Sequence, residues 1–175
     1  TATIVGAGTC PIQASQAGNA NYAAATSVQQ DITINQATQT ISWGAQADQA
    51  FGSGGTFAIS PTATGGASGN AIVYGSTTAA VCTVSGTTVT KVSAGTCTLT
   101  ANQAGNDNYL AAAQSTRSLT ITASTPGAPT ATDILATDAQ VYLSFDPPAS
   151  DGGSAITNYR ATCLPGSITA DGTTS

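Results

Sequence analysis

The chain has no histidine, no glutamate and no methionine, and only 6% of its 175 residues are charged, against roughly 25% in an average soluble domain. Without histidine, neither a Ser-His-Asp nor a Cys-His relay can be assembled, and no imidazole is present to bind a metal. The cations are Lys91, Arg117 and Arg160, too few and too scattered for the basic stripe that phosphate backbones require. No apolar run approaches the roughly 20 residues of a membrane-spanning helix, and no charged stretch leads into an apolar one as in a signal peptide. There is no Asn-x-Ser/Thr sequon to accept a glycan. The expectation is a chain without catalysis, cofactor or metal, which neither binds nucleic acid nor enters a membrane in this segment.

What is present is alanine and threonine, together roughly a third of the chain, with 19 Gly, 7 Pro and 41% hydrophobic residues. The apolar residues fall into short alternating runs, as in Thr96–Ala101, Ser118–Ile121, Thr40–Trp43 and Val141–Phe145. A period of two marks β-strands, and β-branched threonine fits their half-exposed face. The alternation turns Leu99, Ile121, Ile41, Trp43, Leu143 and Phe145 inward, with Thr on the opposite face. Gly, Ser, Asn and Pro punctuate these runs every 8–12 residues or so, the spacing of an all-β chain built from antiparallel sandwiches. A surface of Thr, Ser, Gln and Asn with a net charge of −5 suits a secreted or cell-surface protein.

The strongest signal is an internal repeat. Residues 5–34, VGAGTCPIQASQAGNANYAAATSVQQDITI, align without a gap on residues 92–121, VSAGTCTLTANQAGNDNYLAAAQSTRSLTI, with about half the positions identical. Cys10 falls on Cys97, Gly18 on Gly105, Tyr22 on Tyr109 and Ile34 on Ile121. The offset is 87 residues, which predicts three segments. Residues 1–34 are the closing strands of a preceding unit, residues 35–123 are one complete sandwich of about seven strands, and residues 124–175 begin another. The linker Ser124-Thr-Pro-Gly-Ala-Pro129 separates the last two. The ends are expected to belong to a longer protein or to be completed by neighbouring chains.

Ala80-Val-Cys-Thr-Val-Ser-Gly86, Ala94-Gly-Thr-Cys-Thr-Leu-Thr-Ala101 and Gln103-Ala-Gly-Asn-Asp-Asn-Tyr109 resemble the immunoglobulin-like repeats of very long bacterial extracellular proteins. Pro126–Ser175 is similar to the first half of a fibronectin type III domain, with Asp151-Gly-Gly-Ser154 as its turn and Ile156 and Tyr159 on its third strand. Phe145 stands where that family more often carries Trp. The resemblance implies tandem modules arranged end to end and a non-catalytic extracellular role.

Four cysteines in such a chain suggest disulfides. Cys97 faces inward with Leu99, and Cys82 lies in the preceding strand pair, Val81 to Val92. Their bridge would close a loop of roughly 15 residues, and the alternative is two buried thiols. By the repeat, the partner of Cys10 falls before Thr1, and Cys163 looks for one beyond Ser175. Both are expected to be unpaired within the chain or bonded to material outside it. Asp146 and Asp151 lie close together and flank a Pro-Pro turn, and Asp in turns commonly serves backbone N–H groups rather than calcium. Lys91 could form an isopeptide, but Ile4 holds its place in the preceding unit, so a solvated side chain is expected. Gln-Ala-Gly-Asn-x-Asn-Tyr, at 16–22 and 103–109, reads as a structured turn more readily than as a binding loop with an aromatic tip. Trp43 reads as core.

Three functions suit these features. The first is a structural module of a bacterial stalk, adhesin or fibre, touching only neighbouring domains or copies of itself. The second is a subunit of a filament completed by strands of neighbouring chains. The third is a glycan-binding accessory module of a secreted hydrolase, for which a row of exposed aromatics would be wanted.

Overall fold

The computed structural model describes residues 2–52, 54–138, 140–166 and 168–172. Every regular element among them is a strand, so the chain is all-β. Strands β1 (Gly8–Ala14) and β2 (Val28–Ile34) form an antiparallel hairpin, in register from Gly8 opposite Ile34 to Ala14 opposite Val28. Opposite residues share a face, so Cys10, Ile12, Ile32 and Ile34 lie on one side and Thr9, Gln13, Asp31 and Thr33 on the other.

Seven strands lie between residues 35 and 123 among those described: β3 (Gln49–Ala50), β4 (Thr56–Ala58), β5 (Ile72–Ser76), β6 (Cys82–Ser85), β7 (Thr88–Lys91), β8 (Gly95–Gln103) and β9 (Ser115–Thr122). They make a four-stranded sheet, β3-β9-β8-β5, and a three-stranded one, β4-β7-β6. The turn joining β6 to β7 has Gly86 at φ 58°, a conformation that costs glycine nothing and lets two residues close a hairpin. One pairing departs from the antiparallel expectation, since β3 runs parallel to β9. The long chain between them removes the need for a tight turn. Asp48 fixes the junction by accepting the Thr120 N–H at 2.6 Å.

The core is drawn from these strands and their connections. Trp43, Phe51, Ile59, Val89, Leu99, Leu119 and Ile121 are buried, with Cys82 and Cys97. Two local expectations need correction. Thr40–Trp43 is not a strand but an extended segment holding one bridge, Ser42 to Thr64, because no continuous partner runs beside it. Thr100 is buried at 5% exposure rather than turned outward. A β-carbon on Gly75 would lie 3.0 Å from its Oγ1, so glycine leaves the room that the hydroxyl fills.

Strands β10 (Thr130–Thr137) and β11 (Gln140–Asp146) form a hairpin with a register shift between Ala131 and Asp133. The sequence places a strand from Ala139 to Phe145, and its first residue lies outside the described residues. Strand β12 (Tyr159–Cys163) pairs with β13 (Ile168–Gly172); β12 is shorter than the expected strand from Ile156. Phe145 packs on Tyr159 with ring centroids 4.8 Å apart. Leu143, expected inward, remains 40% exposed, since the apolar face of β11 has no complete sheet over it.

The backbone divides into two compact units. One comprises residues 1–43, 63–73 and 101–115, the other residues 44–62, 74–100 and 116–175.

Candidate functional site

The cysteines separate into one bridge and two thiols. Cys82 at the start of β6 is joined to Cys97 in β8, with Cα atoms 5.6 Å apart, inside the span a disulfide can cover. Ser76 Oγ lies 3.2 Å from the Cys82 sulfur. Thr78 Oγ1 accepts the Thr98 N–H at 2.9 Å, which ties the neighbouring strands to the bridge. Cys10 is a half-buried free thiol opposite Ile32, and Cys163 is an exposed one opposite Ile168.

The two Gln-Ala-Gly-Asn-x-Asn-Tyr segments fold alike. In the second, the Asn106 and Tyr109 backbones exchange hydrogen bonds of 2.9 and 3.3 Å; in the first, Asn19 and Tyr22 do so at 2.9 and 3.3 Å. Asn106 Oδ1 accepts from the Asn108 and Tyr109 N–H groups, as Asn19 Oδ1 does from Asn21 and Tyr22. These are Asx turns, in which a short amide side chain replaces a backbone acceptor. Each segment is a structured corner between two strands.

The copies differ in their surroundings. Gln103 is 3% exposed; its Oε1 accepts the Gly66 N–H at 2.7 Å and its Nε2 donates to Asn70 O at 2.8 Å. Gln39 donates to Ala104 O and Leu110 O and accepts the Ser68 N–H. Asn70 Nδ2 donates to Gly105 O at 2.8 Å, and Asn106 Nδ2 to Ser68 O at 3.0 Å. A corner that would otherwise bury bare carbonyls is thereby satisfied. Gln16, the counterpart of Gln103, is exposed. Sequence reasoning did not find Gln39 or the 66–70 loop. The available signal was Gln103 itself, a polar residue placed at the end of a buried strand.

Lys91 is not the solvated side chain expected. It is half-buried, and its Nζ donates to Ala50 O at 2.7 Å and to Phe51 O at 2.9 Å. Asp151 Oδ1 accepts the Gly153 N–H at 2.8 Å, a turn role, and Asp146 sits opposite Thr130 at the end of the β10–β11 ladder. Among the described residues no cluster of three acidic or cysteine side chains is placed to hold a metal. Arg160 and Asp171 pair at 2.7 Å on exposed faces of β12 and β13. The guanidinium hydrogen bond holds the Asp171 carboxyl below its ordinary range and raises Arg160 in return.

Among the described residues, two apolar grooves stand out. One of ≈ 540 Å³ runs along the β1–β2 face beside Ile4, Ile12, Ile32 and Ile34. The other, ≈ 560 Å³, lies between the β10–β11 and β12–β13 hairpins, beside Ile134, Val141, Leu143, Cys163 and Ile168. Both are lined mainly by aliphatic side chains, which offer a partner apolar surface, and each also holds one of the free thiols, Cys10 in the first and Cys163 in the second. No family model, curated protein or solved structure matches the chain.

Proposed function

We propose that the chain is a non-catalytic structural part of an extracellular bacterial stalk, adhesin or fibre, built of tandem immunoglobulin-like and fibronectin-like sandwiches that give reach and mechanical continuity. The observation that carries this reading is the repeat in three dimensions. Strands β1 and β2 start 87 residues before β8 and β9, Gly8 against Gly95 and Val28 against Ser115, and the corners between them share the same hydrogen bonds. A unit reused in one chain with its local geometry intact is the mark of modular architecture. The Cys82–Cys97 bridge supports an oxidising compartment.

Pulling the chain by its ends tests this role. A module that bears tension gives a cooperative rupture, and the bridge hides the 15-residue separation between its cysteines. Reductant should therefore lengthen the released contour by about 50 Å, at ~3.5 Å per residue. Extension without any rupture would remove the mechanical reading.

Exposure on three hairpins favours a second reading, a filament subunit completed by strands of neighbouring chains. Ile12 is 43% exposed, Ile32 46%, Ile134 66% and Ile168 73%, side chains of the kind that fills a core. Sedimentation over a wide concentration range discriminates, since this reading requires the mass to grow with concentration.

A further inference from the structure

The repeat also relates two places where one segment meets the next. At the first, the Ala7 N–H donates to Asn108 Oδ1 at 2.9 Å, and the Ala37 N–H donates to Asn108 O at 2.8 Å. Ala7 and Ala37 flank the same end of the β1–β2 hairpin, one just before β1 and the other just after β2. Adding the offset of 87 gives Ala94 and Ser124, which flank the same end of β8 and β9. Their N–H groups are also both engaged, here by two backbone carbonyls rather than by the side-chain and backbone oxygens of one residue: Ala94 donates to Gly153 O at 2.8 Å and Ser124 to Gly152 O at 2.9 Å.

The acceptors come from unrelated stretches of sequence but have one form. Asn108 is the second residue after Asn106, whose Oδ1 accepts its N–H at 2.9 Å. Gly153 is the second residue after Asp151, whose Oδ1 accepts its N–H at 2.8 Å. Both are Asx turns that present oxygens outward from a locked backbone. Both also approach closely. A β-carbon on Gly6 would lie 3.1 Å from Asn108 Oδ1, and one on Gly152 would collide with the Ser124 carbonyl oxygen. In the first joint the Leu110 N–H returns a bond of 2.9 Å to Ala37 O, and Gln36 Nε2 reaches Asn106 O at 2.7 Å.

We propose that the end of the repeated hairpin is a reusable joint, in which the N–H just before the hairpin (Ala7, Ala94) and the N–H just after it (Ala37, Ser124), the latter already in the following segment, both bond oxygens of an Asx turn in that following module. The partner it fits is thus defined by chemistry: a tight Asn- or Asp-capped turn that offers two oxygens, backbone carbonyl or side-chain amide, to the two donors. The Asn-Asp-Asn and Asp-Gly-Gly turns supply those oxygens differently, through the Asn108 side chain and carbonyl in the first and through two backbone carbonyls in the second. This joint rests on the modular reading, but its test reads amide exchange rather than force, so the two can fail separately.

In the full chain, Asn108→Ala should speed exchange of the Ala7 amide about tenfold, the effect of one lost hydrogen bond. Asn108→Asp keeps an acceptor oxygen and should preserve protection, and Asn21→Ala, at the equivalent place in the first copy, should leave Ala7 and Ala37 unchanged. Deleting the donor instead, Ala7→Pro should raise exchange at Ala37, and Ala94→Pro should raise it at Ser124. The proline at position 7 leaves the Asn106–Tyr109 corner untouched, so it decides the matter even if Asn108→Ala disrupts that corner. Unchanged exchange at Ala37 in Ala7→Pro, or at Ser124 in Ala94→Pro, overturns the joint.

Discussion

Gly105 and Gly18 have no room for a β-carbon, because one built there would collide with the carbonyl oxygen of Tyr109 or Tyr22 respectively. The collision is the same in both copies, yet its consequence differs with what each corner supports. Gly105 follows Gln103, which is 3% exposed and bonded to Gly66 and Asn70, whereas Gln16 is exposed. Gly105→Ala should therefore destabilise the cooperative core by on the order of 2–3 kcal/mol, and Gly18→Ala should leave that transition in place. Thermal melts of the two variants make the comparison. Gln103→Leu is a gentler probe of the same network. It strands the Gly66 N–H and the Asn70 carbonyl, a loss of about 1–3 kcal/mol for partners left unmade, and Gln16→Leu should be neutral.

At the scale of elements, the strands that alternate most regularly were the most legible in sequence. Strand β9 alternates as its threonines and aliphatics predict, with Leu119 and Ile121 buried. Strand β8 does so up to Leu99 and then buries Thr100 as well, since its surroundings there are set by Gly75, a residue with no periodic signature. The pairing of Gln103 with Gly66 and Asn70 was hidden for a related reason: a Gly/Ser/Asn loop carries no pattern that says which strand it caps. Pairing at the chain's far end is held differently. Strands β12 and β13 share the exposed Arg160–Asp171 pair, with the Asp171 carboxyl lowered by the guanidinium. A lowered carboxyl contributes stability above its unfolded pKa, ~3.9, and loses it as pH falls through the folded value. Acidification should accordingly fray β12–β13 while β10–β11, with no such pair across it, responds less; amide exchange at Thr162 and Thr169 against Ile134 and Tyr142 measures it. Added salt should produce a weaker version of the same effect, since exposed ion pairs are screened.

At the scale of the whole molecule, burial is uneven in a way that fixes where cooperativity lies. Among the described residues, the buried side chains fall between Gln39 and Ile121, and the bridge between Cys82 and Cys97 sits among them. The strands β1, β2, β10, β11 and β13 have almost no buried residue. A two-stranded hairpin with an open apolar face is marginal in water, so its amides exchange through local opening rather than global unfolding. Native-state exchange should consequently sort the chain into two classes, with β6–β9 protected to the limit of global stability and β1–β2 and β10–β13 orders of magnitude faster. Reducing Cys82–Cys97 frees a 15-residue loop, worth about 3 kcal/mol in the unfolded chain. It should speed the slow class alone, by roughly a hundredfold. Slow exchange at Cys10 and Ile32 would instead mean that the face they share is covered. If another chain covers it, that protection disappears on dilution while the core protection does not, and the concentration dependence of β1–β2 exchange separates the tandem module from the self-completing filament.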